Sequence, residues 1–244
     1  MMNQDNRPDL VIHGTVNAAG GVYGEVVVHG FGKIKGNVEC LDLHCAGHVN
    51  VEGDVHASRG KIEGNANIRG AAHFENMEVY GQLDVNGDMT FTQLRVDGSV
   101  KVHGSVSGEE ILLNGFLKAT GDCEAEVFKA KGAFTIGGLL NAGHVSIHLH
   151  GSSEAREIGG EHIEVRKAGI STLNKLMKPF FNNTLSVDTV EGDEIYLEYT
   201  RAKIVRGTNI EIGPGCEIDL VEYSGEFRQD SSSRVKEHTK RGEA

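Results

Sequence analysis

Glycines stand at positions 30, 47, 64, 81, 98, 115 and 132, a constant interval of 17. A second series, at 36, 53, 70, 87, 104, 121 and 138, keeps the same period. Two series in one phase restrict the chain to an architecture of stacked, nearly identical units, because a fixed period of this kind is the signature of a repeat fold.

The residues between the glycines say what each unit is. Counted from the first glycine, position 5 holds Ile34, Val51, Ile68, Val85, Val102, Ala119 and Ile136. Position 9 holds Val38, Val55, Ala72, Met89, Val106, Cys123 and Leu140, and position 16 runs from Cys45 through Ile62 and Val79 to Ile147. Apolar residues also fill positions 3, 11 and 14, and the slots between are mostly polar. Each repeat thus carries three short alternating segments, the mark of half-buried strands. Three strands per turn, bent at glycines, make a coil whose inward side chains stack in columns. The glycines are expected to supply the backbone freedom that such bends need. The fold predicted is all-β: a parallel β-helix solenoid with three short strands per rung of about 17 residues. An earlier rung shows in "LVIHGTVNAAGGVYGEVVV", where Gly14 precedes Gly30 by one position less than the period.

The phase is lost after about His148. The organisation expected is a tail over 1–9, a regular β-helix over 10–149, less regular coils over 150–227 and a disordered, polar tail over 228–244. Within the third part, "ISTLNKLMKPFFNNT" has the pattern of a short amphipathic helix near 171–181, ended by Pro179. Its Leu173, Leu176, Met177, Phe180 and Phe181 would cap the β-helix or touch a membrane or partner. The "GPG" at Gly213–Gly215 suits a type II turn.

Net charge is −11, which argues against general binding to nucleic acid or anionic lipid. No apolar run is long enough to span a bilayer, and "MMNQDNRPD" lacks the apolar core of a secretory signal, so a cytoplasmic protein is expected, with the inner face of the cell membrane as an alternative site. Cys40, Cys45, Cys123 and Cys216 form no C-x-x-C pair and read as small core residues of a reducing compartment.

Few residues carry candidate chemistry. His56 and His73 share a column in adjacent rungs, and "HVSIHLH" gathers His144, His148 and His150. Either set is a candidate for metal binding, set against the plainer reading of surface histidines, which is adopted. Asp54, Asp88 and Asp122 share position 8 but alternate with Ala71 and Ser105, too far apart for a shared cation, and read as solvated acids at a corner. Phosphate-loop, dinucleotide and nucleophile-elbow motifs are absent, so neither cofactor, nucleotide nor catalytic residue is assigned.

Four functions come into question. A β-helix with apolar parallel edges can add subunits end to end, with strand pairing and core burial as the driving force. A hexapeptide-type acyltransferase needs an 18-residue coil. A carbohydrate-active β-helix enzyme needs long irregular coils that build a cleft. A non-polymerising scaffold, or a co-polymer subunit, would have one end blocked.

The 17-residue phase and the short "G-x-Φ-x-Φ-x-G-x-Φ" rungs over about Leu10 to Leu149 resemble the bactofilin family of polymer-forming bacterial cytoskeletal proteins. The segment "GDEIYLEYTRAKIVRGTNIEIGPGCEIDLVEY" resembles part of long bactofilin-like proteins of Bacillus-type bacteria. The resemblance implies a right-handed β-helix, nucleotide-independent homopolymers, scaffolding roles in cell shape, envelope or motility, and partners that include a paralogous bactofilin or peripheral envelope proteins. It also implies apolar polymer contacts at the terminal rungs. By position these are Leu10, Val11, Ile12 and Val16 in the first rung, and Ile218, Leu220, Val221 and Phe227 if the later coils complete the solenoid.

Overall fold

The computed structural model describes residues 7–168 and 183–242. Among them every regular element is a strand and the strands pair in parallel, so each part of the chain is a β-solenoid. The chain divides into two compact units, Met1–Gly121 and Asp122–Ala244.

The first unit realises the 17-residue period rung by rung. Strands β5 (His48–Val51), β7 (Asn65–Ile68), β9 (Gln82–Val85), β11 (Ser99–Val102) and β14 (Phe116–Ala119) stack in register. His48 faces Asn65, Asn65 faces Gln82, and so on to Phe116. Alternation decides the facing: Val51, Ile68, Val85, Val102 and Ala119 form one buried column. The second and third segments of a rung join in one bent strand, as in β6 (Val55–Ile62), β8 (Ala72–Val79) and β10 (Met89–Val96).

The corner glycines are there for closeness more than for conformational freedom. A Cβ on Gly64, Gly81, Gly98 or Gly115 would overlap the carbonyl oxygen of the glycine one rung earlier, and none of the four has a positive φ. Rungs of backbone approach too tightly there for any side chain. Among the described residues, left-handed φ is confined to a few sites, such as Gly36 at 98°. Glycine in an apolar column does a second job. Gly60 leaves room for Phe74 and Met77, and Gly108 leaves room for the Phe91 ring. Large residues are thereby matched by empty space one rung away, which keeps the interior densely packed.

In the second unit the strands are longer and turn corners without breaking: β16 (Ala133–Leu149), β17 (Ser153–Lys167), β18 (Leu185–Leu197) and β19 (Thr200–Ile212). The period drifts. Ile163 pairs with Ile195, Ile195 with Ile210 and Ala202 with Ile218, so the step between paired positions is 32, then 15, then 16. The expected helix at 171–181, with Leu173, Leu176, Met177, Phe180 and Phe181, lies outside the described residues. At Pro214–Gly215 the φ of 75° on Gly215 is what a type II turn requires at its third position.

Two boundaries differ from expectation. Residues 7–9 are docked: Pro8 O accepts from Gly24 N at 3.0 Å and Asp9 Oδ1 from Glu25 N at 2.9 Å. The stretch expected to be disordered from 228 contains β22 (Arg234–Lys240), which pairs along β20 (Glu217–Tyr223) and is tied down by Arg241 Nη2 donating to Glu222 Oε2 at 2.8 Å. Composition failed as a guide because a solenoid rung needs only a few inward residues. Val235 stacks on Ile218 and His238 on Val221, while the outward positions stay charged.

Candidate functional site: the free strand edges

A parallel solenoid leaves backbone N–H and C=O groups unpaired on its first and last rungs, and such edges template pairing with another chain. In the first unit that edge is β1 (Leu10–Ile12) and β2 (Thr15–Val22). Among the described residues β1 pairs only with β3 (Glu25–Val28), in the register Leu10–Val26, Val11–Val27 and Ile12–Val28. Likewise β2 pairs only with β4 (Phe31–Cys45), Val16 opposite Gly32. Ile12 is fully buried, Leu10 and Val16 are half-buried, and Val11 is 53% exposed. All four sequence-assigned residues of this rung therefore lie on one free edge. An exposed patch extends it: Val22 is 48% and Phe31 63% exposed. His13, beside Ile12, stacks on His29 at 5.2 Å, and His29 meets His44 edge-on at 6.2 Å. That ladder escaped the sequence reading because its spacings of 16 and 15 break the 17-residue frame.

The second unit's edge is not where the sequence placed it. Ile218 and Val221 are buried and Leu220 half-buried, one rung inside the edge, because β22 covers them. Phe227, in β21 (Phe227–Gln229), does reach the edge and packs on Tyr223 at 5.3 Å and His238 at 5.1 Å. The edge itself is charged: Arg234, Lys236, Glu237, Lys240 and Arg241 are exposed. Lys236 Nζ lies 2.6 Å from Asp219 Oδ1. Glu222 is gripped by Arg241 at 2.8 Å and Arg206 at 2.9 Å, and these two donors hold its carboxyl below the usual range. The signal for this rung was present in the sequence, since Arg234, Val235 and Lys236 follow Glu217, Ile218 and Asp219 at the interval of the glycine series.

The other candidates are absorbed by the fold. Asp54 Oδ1 accepts from Ala71 N at 2.9 Å, Asp88 Oδ1 from Ser105 N at 2.8 Å and Asp122 Oδ1 from Leu139 N at 2.8 Å. Position-8 acids thus anchor the backbone of the next rung, rather than being merely solvated. His56 and His73 stack at 4.4 Å, with His73 Nδ1 2.7 Å from Thr90 Oγ1. His144 stacks on His162 at 4.8 Å rather than grouping with His148 and His150. Among the described residues no group of three or more His, Cys, Asp or Glu is placed to hold a metal ion. All four cysteines are free and buried, and burial pushes the Cys40 and Cys123 thiols up to about 12 and those of Cys45 and Cys216 to about 11. Among the described residues no helix is long and apolar enough to cross a membrane.

Stacked rungs with packed interiors define a β-solenoid. In comparison with known proteins, residues 4–90 match the family model for Bactofilin, polymer-forming cytoskeletal. Two curated relatives come from Bacillus subtilis (strain 168). The uncharacterized protein YhbE is 47% identical over 107 residues, 43% of this chain and 44% of the relative. The uncharacterized protein YhbF is 41% identical over 104 residues, 42% of each chain. The matches therefore span less than half of either relative. No solved structure matches.

Proposed function

We propose that this chain is a non-enzymatic structural protein that assembles with itself through the strand edge of its first rung, without nucleotide, as a subunit of a cytoplasmic scaffold. The observation that carries this is the edge of β1 and β2, paired on one side only among the described residues, with Leu10, Val11, Ile12 and Val16 along it. A second copy placed there satisfies the free N–H and C=O groups and removes apolar surface from water, which needs no fuel. The polymer-forming character of the matched family supports the same reading. Service to cell shape, envelope growth or motility, and co-assembly with a paralogue or a membrane-peripheral protein, extend the proposal to the cell.

The test is negative-stain electron microscopy and light scattering of the purified chain without nucleotide, beside Val11→Asp. Val11 is half in solvent, so the variant is expected to keep its circular dichroism and melting temperature while losing assembly. Equal assembly by the variant would remove the first rung from the interface. Monomers from both proteins would overturn self-assembly.

A further inference from the structure

The last three rungs of the second unit follow a rule of alternating charge. On one face, Arg201 and Lys203 flank the buried Ala202. Directly beside them Glu217 and Asp219 flank Ile218, and beside those Arg234 and Lys236 flank Val235. The rungs read basic, acidic, basic. Ion pairs run between them: Arg201 Nε to Glu217 Oε2 at 3.3 Å and Lys236 Nζ to Asp219 Oδ1 at 2.6 Å. The acidic rung is sandwiched between two basic ones. The outer basic rung has an acidic neighbour on one side only, because β22 pairs with β20 and with nothing else among the described residues.

We propose that β22 is a docking edge for an acidic strand of a different protein, one that carries Asp or Glu on either side of an apolar residue. Such a strand would add parallel to β22, set its acids against Arg234 and Lys236 and its apolar residue against Val235, and continue the alternation by one rung. Opposite charges directly across a strand pair attract and like charges repel. That excludes a second copy of β22, which would set Arg234 and Lys236 against basic residues. It also disfavours this chain's own first rung, whose outward residues on β2 are Thr15, Asn17 and Ala19. Main-chain pairing supplies affinity and the charge pattern supplies choice of partner, as in other strand-addition complexes. This site is separate from the apolar edge of the proposed self-assembly.

The chain holds a ready probe for it. Its own acidic rung, Glu217–Tyr223, is the sequence that β22 already accepts on its inner side. A fluorescent, end-blocked peptide of that sequence (EIDLVEY) is titrated with the full chain by anisotropy. Expected is saturable binding, weakened about tenfold or more as salt rises from about 0.05 M to about 0.5 M, since exposed charges are screened. The double variant Arg234→Gln, Lys236→Gln removes the charge without setting acids against Glu217 and Asp219. It is expected to keep the parent's circular dichroism and to bind the acidic peptide at least about tenfold more weakly, while a peptide with Lys at its first and third positions is expected not to bind the parent. Val11→Asp is expected to bind the acidic peptide like the parent, which separates this site from self-assembly. No binding by the parent chain, equal binding of both peptides, or affinity indifferent to salt would each overturn the proposal and leave β22 a charged cap.

Discussion

The two units build the same kind of rung with different regularity. In Met1–Gly121 the rung length is constant over the glycine series and neighbours are locked by backbone: glycine corners touch glycine carbonyls, and Asp54 or Asp88 reaches the next rung's N–H. In Asp122–Ala244 the rung length drifts. Val145 pairs with Ile163, a step of 18, and Ile195 with Ile210, a step of 15. Close corners persist there, with Gly192 against the Gly160 carbonyl and Gly207 against the Gly192 carbonyl. Charged side chains bridge rungs as they do in the first unit, Arg206 between Glu191 and Glu222 here and Arg59 on Asp42 there. A strict period lets one close backbone contact be repeated. A drifting period keeps that contact only at some corners, such as Gly192 and Gly207, and long charged side chains tolerate the offsets elsewhere.

That contrast can be broken most forcefully at a glycine corner. Gly98→Ala places a methyl group into the Gly81 carbonyl, backbone against backbone, with no flexible atom to yield. A loss on the order of 3 kcal/mol is expected in urea unfolding. Gly151→Ala, whose methyl would meet only the Ala133 Cβ at 3.3 Å, is expected to cost less than about 1 kcal/mol. Equal costs would mean that the close approach of the Gly81 carbonyl is not what requires glycine at position 98.

A smaller effect is expected from charge. Arg206→Met removes both ion pairs of a side chain that is one-third exposed, at 33%. Its cost should stay near or below about 1 kcal/mol and shrink in high salt. A loss independent of salt would assign Arg206 a packing role instead.

The smallest expected effect is a pH dependence of the last rung. Arg241 and Arg206 hold the Glu222 carboxyl below its ordinary 4.5, so folding is favoured by the charged form. The contribution is complete above the unfolded value and disappears as pH falls through the depressed folded value. Hydrogen exchange at residues 234–241 should therefore rise as pH is lowered from about 5 towards about 3, after correction for intrinsic rates, while β7 and β9 stay protected. Protection of 234–241 that is unchanged by acid would show that the strand is held by Val235 and His238 packing alone.

Much of this was legible from residues alone. The glycine period set the rung length, and alternation at Val49 and Val51 or Leu83 and Val85 named the inward column, because a strand has only two faces. The place of Leu10, Val11, Ile12 and Val16 in the shortened rung before the regular repeats was legible for a related reason, while their role as an interface belongs to the proposal. The second edge was misread because Arg234–Lys240 is polar in composition, and the two inward residues that make it a rung, Val235 and His238, are too few to stand out.

What the sequence determined was the periodic backbone, since glycine spacing and alternation are local properties that act on each residue separately. What only the tertiary structure decided was which residues become neighbours 15, 16, 17 or 32 positions apart. That stacking explains why Gly98 must lack a side chain, why Asp88 is an anchor, and why the basic residues of β22 lie against the acids of β20. Each of these depends on contact between rungs, and contact between rungs exists only once they are stacked.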